Sequence, residues 1–289
     1  MAHLLDISPA EYHLRPEFSS TIAKEVLRSP RHAWMIHPSY GGRGKAPTKS
    51  TERGTVVHKL VLGKGAQDFE VLPHEEYRTD KAKADRDAVI ASGRIPLKPK
   101  EFTAAGAIAL AIKNRLVEEH EFDARVPSSL DGSSGGVSEQ GMVWTEQTEH
   151  GPVECRGMMD HVFLSRGLIV DLKVVEDASD GAIELSAEYY HYALQSCAYV
   201  RGLTAVEPTM AGRIKFLFIF AEAAPPYALN IVEPDGVFRE LGERRWLRAV
   251  STWGRCLKTA EWPAYGAGIR QITAPAWAMA RDGYTTEER

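Results

Sequence analysis

Hydrophobic and polar positions are most informative between residues 157 and 175. Gly157-Met158-Met159-Asp160-His161-Val162-Phe163-Leu164 and Leu168-Ile169-Val170-Asp171-Leu172-Lys173-Val174-Val175 are two apolar runs separated by Ser165-Arg166-Gly167. Runs rich in Val, Ile, Leu, Met and Phe around a glycine-bearing turn predict a β-hairpin. With Arg166 and Gly167 as the turn pair, Ser165 faces Leu168 and Asp160 faces Lys173. Side chains alternate along strands, so Asp160, Asp171 and Lys173 are expected on one face. Both faces of the second run are otherwise apolar, which marks a central strand covered on both sides.

The same reading extends outward. Residues 137–144 form a preceding strand, with a turn at His150-Gly151, and residues 214–220 and 227–232 read as strands around Pro225-Pro226. A helix capped by Ser19 or Ser20 carries Ile22, Val26 and Leu27 inward. Another follows Gly54 with Val56, Val57, Leu60, Val61 and Leu62, and ends at Gly63. Residues 80–121 predict two helices separated by a turn over 93–99, the second burying Ile108, Leu110, Ile112 and Leu116. Residues 184–199 have helical periodicity, with His191, Gln195 and Tyr199 on one stripe. A long amphipathic helix starts at Pro234-Asp235 and reaches about Thr259. Residues 39–52 and 128–136 read as loops, and little regular structure is expected past Asp282. This order predicts an α+β fold with a mixed central sheet flanked by helices. It is read as a single domain over 1–289, with a helical elaboration around 76–126 and an irregular tail from about 262.

Composition narrows the class. At 289 residues, 44% hydrophobic and 26% charged, the chain is ordinary for a globular protein. No apolar run approaches the roughly 18 residues of a membrane span. The first residues lack a basic segment followed by an apolar one, so no signal peptide is expected and a cytoplasmic setting is the default. Cys155, Cys197 and Cys256 have no paired spacing, which leaves a disulfide framework, a zinc knuckle and a four-cysteine iron–sulfur cluster unsupported. A net charge of −4 argues against a diffuse coating of nucleic acid but permits a local basic channel.

Two carboxylates and an ammonium in an oily hairpin are costly unless compensated. A divalent cation would offset that cost, and it would polarise a phosphate or activate water. A surface ion pair is the ordinary alternative for Asp-x-Lys alone.

The strand pair with Asp160 and Asp171-Leu172-Lys173 resembles the core of the PD-(D/E)XK nuclease superfamily, although Met159 replaces the proline that often precedes the first Asp. Gln195-x-x-x-Tyr199 and Gly54-Thr55-Val56-Val57-His58 resemble motifs of its RecB-like branch. The Phe18-Ser19-Ser20-Thr21 helix and Glu261-Trp262-Pro263-Ala264-Tyr265 are similar to the RecE exonuclease family. The resemblance covers roughly residues 10–280. It implies an Mg²⁺-dependent exonuclease on double-stranded DNA, Mn²⁺ substituting, that degrades 5′ to 3′ and leaves 3′ single-stranded tails. It further implies a ring-shaped homo-oligomer around DNA ends, beside a strand-annealing recombinase, in a bacterial or phage-infected cell.

On this resemblance Asp160, Asp171 and the Leu172 carbonyl are metal ligands, with His58 and Glu139 as further candidates. A lone helical His is more often a packing residue, and an exposed strand carboxylate is the ordinary reading of Glu139. Lys173 would position the attacking water or help deprotonate it, and would stabilise the charged phosphorane. Gln195 and Tyr199 could hydrogen-bond catalytic groups or DNA phosphate. Lys24, Arg28 and Arg31, and less strongly Lys81, Lys83 and Arg86, are candidate phosphate contacts. The competing functions are a sequence- or structure-specific endonuclease and a catalytically silent DNA-end-binding protein.

Overall fold

The computed structural model describes residues 2–42, 48–65 and 67–283. The strands are β1 (His3–Leu5), β2 (Phe18–Ser19), β3 (Phe69–Val71), β4 (Ile95–Leu97), β5 (Val137–Thr148), β6 (Gly151–Phe163), β7 (Leu168–Val175), β8 (Lys215–Glu222) and β9 (Leu229–Val232). The helices are α1 (Pro9–His13), α2 (Ser20–Arg28), α3 (Pro30–Ile36), α4 (Lys49–Leu62), α5 (Asp80–Ala91), α6 (Pro99–Phe122), α7 (Asp180–Tyr189), α8 (Tyr192–Val206), α9 (Gly236–Thr259) and α10 (Ala276–Arg281).

Among the described residues one seven-stranded sheet has the order β1-β5-β6-β7-β8-β9, with β2 beside β6. β5, β6 and β7 are antiparallel, β7 and β8 are parallel, and β9 returns antiparallel. The sheet is therefore mixed, as the element order predicts. β3 and β4 form a separate parallel pair, which brings Phe69–Val71 beside Ile95–Leu97 between α5 and α6.

Helices cover both faces. Leu168, Val170 and Leu172 of β7 pack into the layer of Val56 and Val57 from α4 and Ile108 and Ile112 from α6. Ile169 joins the opposite layer with Ile22 of α2, Leu194 of α8 and Trp246 of α9. β7 is thus central and covered on both sides. At the start of α9, Asp235 accepts the Phe238 N–H at 2.7 Å, a cap of about 1 kcal/mol. Trp246, Ala249, Val250 and Trp253 follow at helical spacing and are buried. α8 and α9 are joined to β5 through buried Glu146. Its carboxylate accepts the indole N–H groups of Trp144 and Trp246 and two bonds from Arg201.

Several sequence expectations need correction. The β6–β7 turn is a 3₁₀ turn over Leu164–Arg166 closed by Gly167 at φ 61°, so Phe163 pairs with Leu168. The register moves by two residues, which preserves which side chains of β7 share a face. α4 begins at Lys49, because Thr48 and Thr51 form a capping box upstream of Gly54. The 184–199 helix is two helices, with His191 between them at φ 53°. Leu110 is 60% exposed, being on the face of α6 opposite Ile108, Ile112 and Leu116. The tail contains the short helix α10, and residues 43–47 of the predicted 39–52 loop lie outside the described residues. No helix among the described residues is long and apolar enough to cross a membrane.

Candidate active site

Three carboxylates come from adjacent strands. The β5–β6 ladder passes from Ser138↔His161 to Gln140↔Met159, setting Glu139 across from Asp160. The β6–β7 ladder reaches His161↔Val170, and Asp160 and Asp171 follow as the next residues on each strand. Glu139 has φ 52°. β6 also changes phase here, since Val153, Cys155 and Met159 and then Val162 all join the α8-side core while Phe163 joins the other. Asp171 and Lys173 share the face toward α8, as expected. Asp160 sits at the phase change and turns its carboxylate to the backbone of β7.

The Leu172 peptide is held at both ends. Its N–H donates to Asp160 Oδ2 at 2.8 Å, and its carbonyl accepts from His58 Nε2 at 2.8 Å. His58 Nδ1 then lies 3.7 Å from Asp160 Oδ2, so α4 is tied to both strands. A Cβ at Gly54, one turn earlier, would meet nothing within 4 Å. Packing does not demand glycine there, although it costs a helix roughly 1 kcal/mol relative to alanine. Its absence of a side chain leaves this wall of the cleft open.

Asp171 is fully buried. Gln195 of α8 donates to its Oδ2 at 2.7 Å, and Lys24 of α2 donates to Gln195 Oε1 at 3.1 Å. An ammonium can only donate, so Lys24 fixes which way the Gln195 amide faces. Lys173 forms an ion pair with Asp171 Oδ1, yet among the described residues no donor is aligned with that oxygen.

Burial, then the neighbouring charge of Asp160, raises the Asp171 pKa against the opposing pull of Lys173. Glu139 is pushed up to about 8 by burial and then by Asp160 and Asp171. Burial pulls Lys173 down, but the charges of Asp171 and Asp160 outweigh it and hold the ammonium well above its usual range. His161, beside Asp160, is lowered by burial to about 4 and donates no compensating charge.

Glu139 and Asp171, whose carboxyls are raised by burial and by neighbouring negative charge, the facing Asp160 and the Leu172 carbonyl are an oxygen-rich set suited to a hard divalent cation. Among the described residues no three His, Cys, Asp or Glu side chains already converge into a metal cage.

The site opens into a cleft of about 630 Å³ between α4 and the α7–α8 junction, with Glu139, Leu172 and Lys173 in its lining. The structure brings His58, Glu139, Asp160, Asp171, Leu172, Lys173, Gln195 and Lys24 together. Tyr199 is different. It is a core residue packed on Gly157 and Phe216, its pKa raised by burial, and its hydroxyl meets Ser20. Arg28 donates to the Tyr265 hydroxyl at 3.4 Å, and Arg31 lies 4.5 Å over Trp34 with its N–H on the Pro263 carbonyl. Both hold the 261–265 segment against α2 and α3. Lys81 and Lys83 lie on α5, with Lys83 paired to Asp80, and neither lines the cleft. Sequence reasoning missed Tyr190 and Tyr192, which do line it.

A mixed sheet between helical layers, with an acidic pair and a lysine on its central strands, defines a PD-(D/E)XK-type nuclease fold. The chain belongs to the PDDEXK-like domain family of unknown function DUF3799, which matches residues 19–274. It shares its fold with a crystal structure from Eubacterium rectale described as a "Putative exonuclease", at a TM-score of 0.56 and 14% identity over 95% of each chain. A phage related exonuclease from Haemophilus somnus 129PT gives a TM-score of 0.27 and 13% identity over 72% of this chain and 95% of that one, too little to bear on the fold. No curated protein matches the chain.

Proposed function

We propose that the chain is a divalent-cation-dependent exonuclease that hydrolyses double-stranded DNA from its ends. One observation carries this: Asp160, Asp171 and Lys173 come together on adjacent strands directly behind a cleft that Lys173, Leu172, Glu139 and His58 line. Asp160, Asp171 and the Leu172 carbonyl would hold Mg²⁺ or Mn²⁺, with Glu139 and His58 beside them. Such an ion supplies Lewis-acid stabilisation and a more acidic water.

The chain's own residues then have distinct tasks. Gln195 occupies Asp171 Oδ2, and Oδ1 faces the Lys173 ammonium. Asp160 and His58 hold the Leu172 peptide in place. Lys173, whose ammonium is favoured by the charges of Asp171 and Asp160, would stabilise negative charge growing on the phosphoryl oxygens and position the attacking water. Ser50, Thr51 and Thr55 line the α4 wall; Thr51 and Thr55 donate their hydroxyls to the Thr48 and Thr51 carbonyls, and Ser50 offers a hydroxyl donor to phosphate.

The 5′-to-3′ direction, the 3′ tails, the ring and the annealing partner rest on the resemblance of the Phe18-Ser19-Ser20-Thr21 helix and of Glu261-Trp262-Pro263-Ala264-Tyr265 to RecE-type exonucleases, beside the RecB-like motifs Gly54-x-x-x-His58 and Gln195-x-x-x-Tyr199. End-labelled linear duplex in Mg²⁺ tests the reading: the 5′ label is lost first and closed circles survive. Cutting of circles would establish an endonuclease, and end binding without cleavage would establish a silent end-binding protein.

A further inference from the structure

In one continuous helix, Tyr190 and Tyr192 would point about 200° apart. The chain instead breaks at His191, whose left-handed backbone at φ 53° is unfavourable for a residue with a Cβ. Arg245 braces the break, with Nη2 donating to Glu188 at 2.8 Å and Nη1 lying 3.4 Å from His191 Nδ1. The result is a stack: the Tyr190 and Tyr192 rings lie 5.7 Å apart at 22°. Both line the cleft. Tyr192 is 8% exposed, and its ring is 5.1 Å from the Lys173 ammonium and 5.7 Å from that of Lys24. Tyr190 is 53% exposed, and Tyr189 meets it edge-on at 4.8 Å.

A backbone outlier that carries an exposed aromatic to the mouth of a charged cleft points to a ligand with a flat face. The buried end of the stack touches the lysine that would face phosphate, and the outer end is open. Sugar–phosphate and base stand in that same relation in a nucleotide. We infer that Tyr190 is the stacking platform for the nucleobase attached to the phosphate held at Lys173. The inference rests on the nuclease reading above. Stacking uses the π face common to all bases, so the site favours no sequence.

The test uses Tyr190→Ala, Tyr190→Leu and Tyr190→Phe, each shown to be folded by its melting transition, since Ala and Leu also remove the ring contact with Tyr192. Stacking predicts that Tyr190→Ala and Tyr190→Leu raise KM about tenfold with little change in kcat, while Tyr190→Phe keeps the wild-type KM. Removing the base beside the scissile phosphate costs the wild type a similar factor and costs Tyr190→Ala nothing more. A KM for Tyr190→Ala within about twofold of wild type overturns the inference, as does full function in Tyr190→Leu. If the wild type cleaves no DNA, the nuclease reading has failed, and fluorescence decides the stacking separately. An oligonucleotide carrying 2-aminopurine is quenched on binding the wild type and not on binding Tyr190→Ala; equal fluorescence with both removes the platform.

Discussion

Glu146 and Asp171 are both buried acids of the same sheet, and their surroundings could hardly differ more. Glu146 has donors on both oxygens, from two indoles and one guanidinium. Burial alone would raise its pKa, but Arg201 and the two tryptophans bring it below the usual value. Asp171 has one oxygen satisfied by Gln195 and one without an aligned donor, and its pKa is raised. Buried charge is therefore not in itself the mark of a site. The mark is charge that the protein's own donors leave incomplete.

The largest break in this comparison comes from Asp171→Asn or Asp160→Asn. Either lowers cleavage by at least about 10³-fold in the end-label assay while the chain still folds, as read by its melting transition. Activity above about a tenth of wild type would remove the ligand assignment. Glu146→Ala gives the reverse pattern: a loss of ~3–5 kcal/mol in denaturant unfolding, because Arg201 is left without its buried partner, with kcat little changed below the new melting point.

Lys173→Ala is expected to slow cleavage by about 10²-fold. Calorimetry should show divalent binding no weaker than in wild type, since a nearby positive charge has gone. Lys173→Arg recovers little, because the compact ammonium lies between Asp171 and the Tyr192 ring, where a planar fork is a poor replacement. Full recovery would reduce the lysine to simple charge. Mg²⁺ at about 100 times its Kd stabilises the wild type by ~2.7 kcal/mol. That gain persists in Glu146→Ala and vanishes in Asp171→Asn, as read by the melting temperature.

The smallest effect is one of slope. Glu139 holds its proton up to about pH 8 in the fold but loses it near pH 4.5 when unfolded. The folded state therefore binds more protons in that window, and in EDTA its contribution to stability falls as pH rises from about 4.5 to 8. Glu146, with a lowered pKa, contributes stability above about pH 4.5 that is lost as pH falls. Melting curves at pH 6 and 8 check the first statement, and Glu139→Gln should flatten that slope.

The site was legible wherever the pattern is local. Asp160, Asp171 and Lys173 show themselves as charges in apolar strands, and Asp235 shows itself as the cap of α9. The hairpin register was not legible, since a 3₁₀ turn of Leu164–Arg166 and a two-residue turn leave the same alternation. The break at His191 was hidden because the helical period runs on through it, and nothing in a histidine announces a left-handed backbone. Lys24 reaches Gln195 across 171 positions of sequence, a pairing only the packing of α2 on α8 creates. Arg28 and Arg31 read as phosphate contacts because basic charge at a helix end looks the same whether it faces DNA or the Tyr265 segment.

The Leu172 peptide joins all this to the interior. Its side chain is in the core between α4 and α6, its N–H is held by Asp160 and its carbonyl by His58. In hydrogen-exchange terms, an amide beside an open cleft becomes one that exchanges only when Asp160 lets go. Because His58 of α4 holds the carbonyl of the same residue, exchange at the Leu172 amide is expected to report on the junction of strand and helical layer.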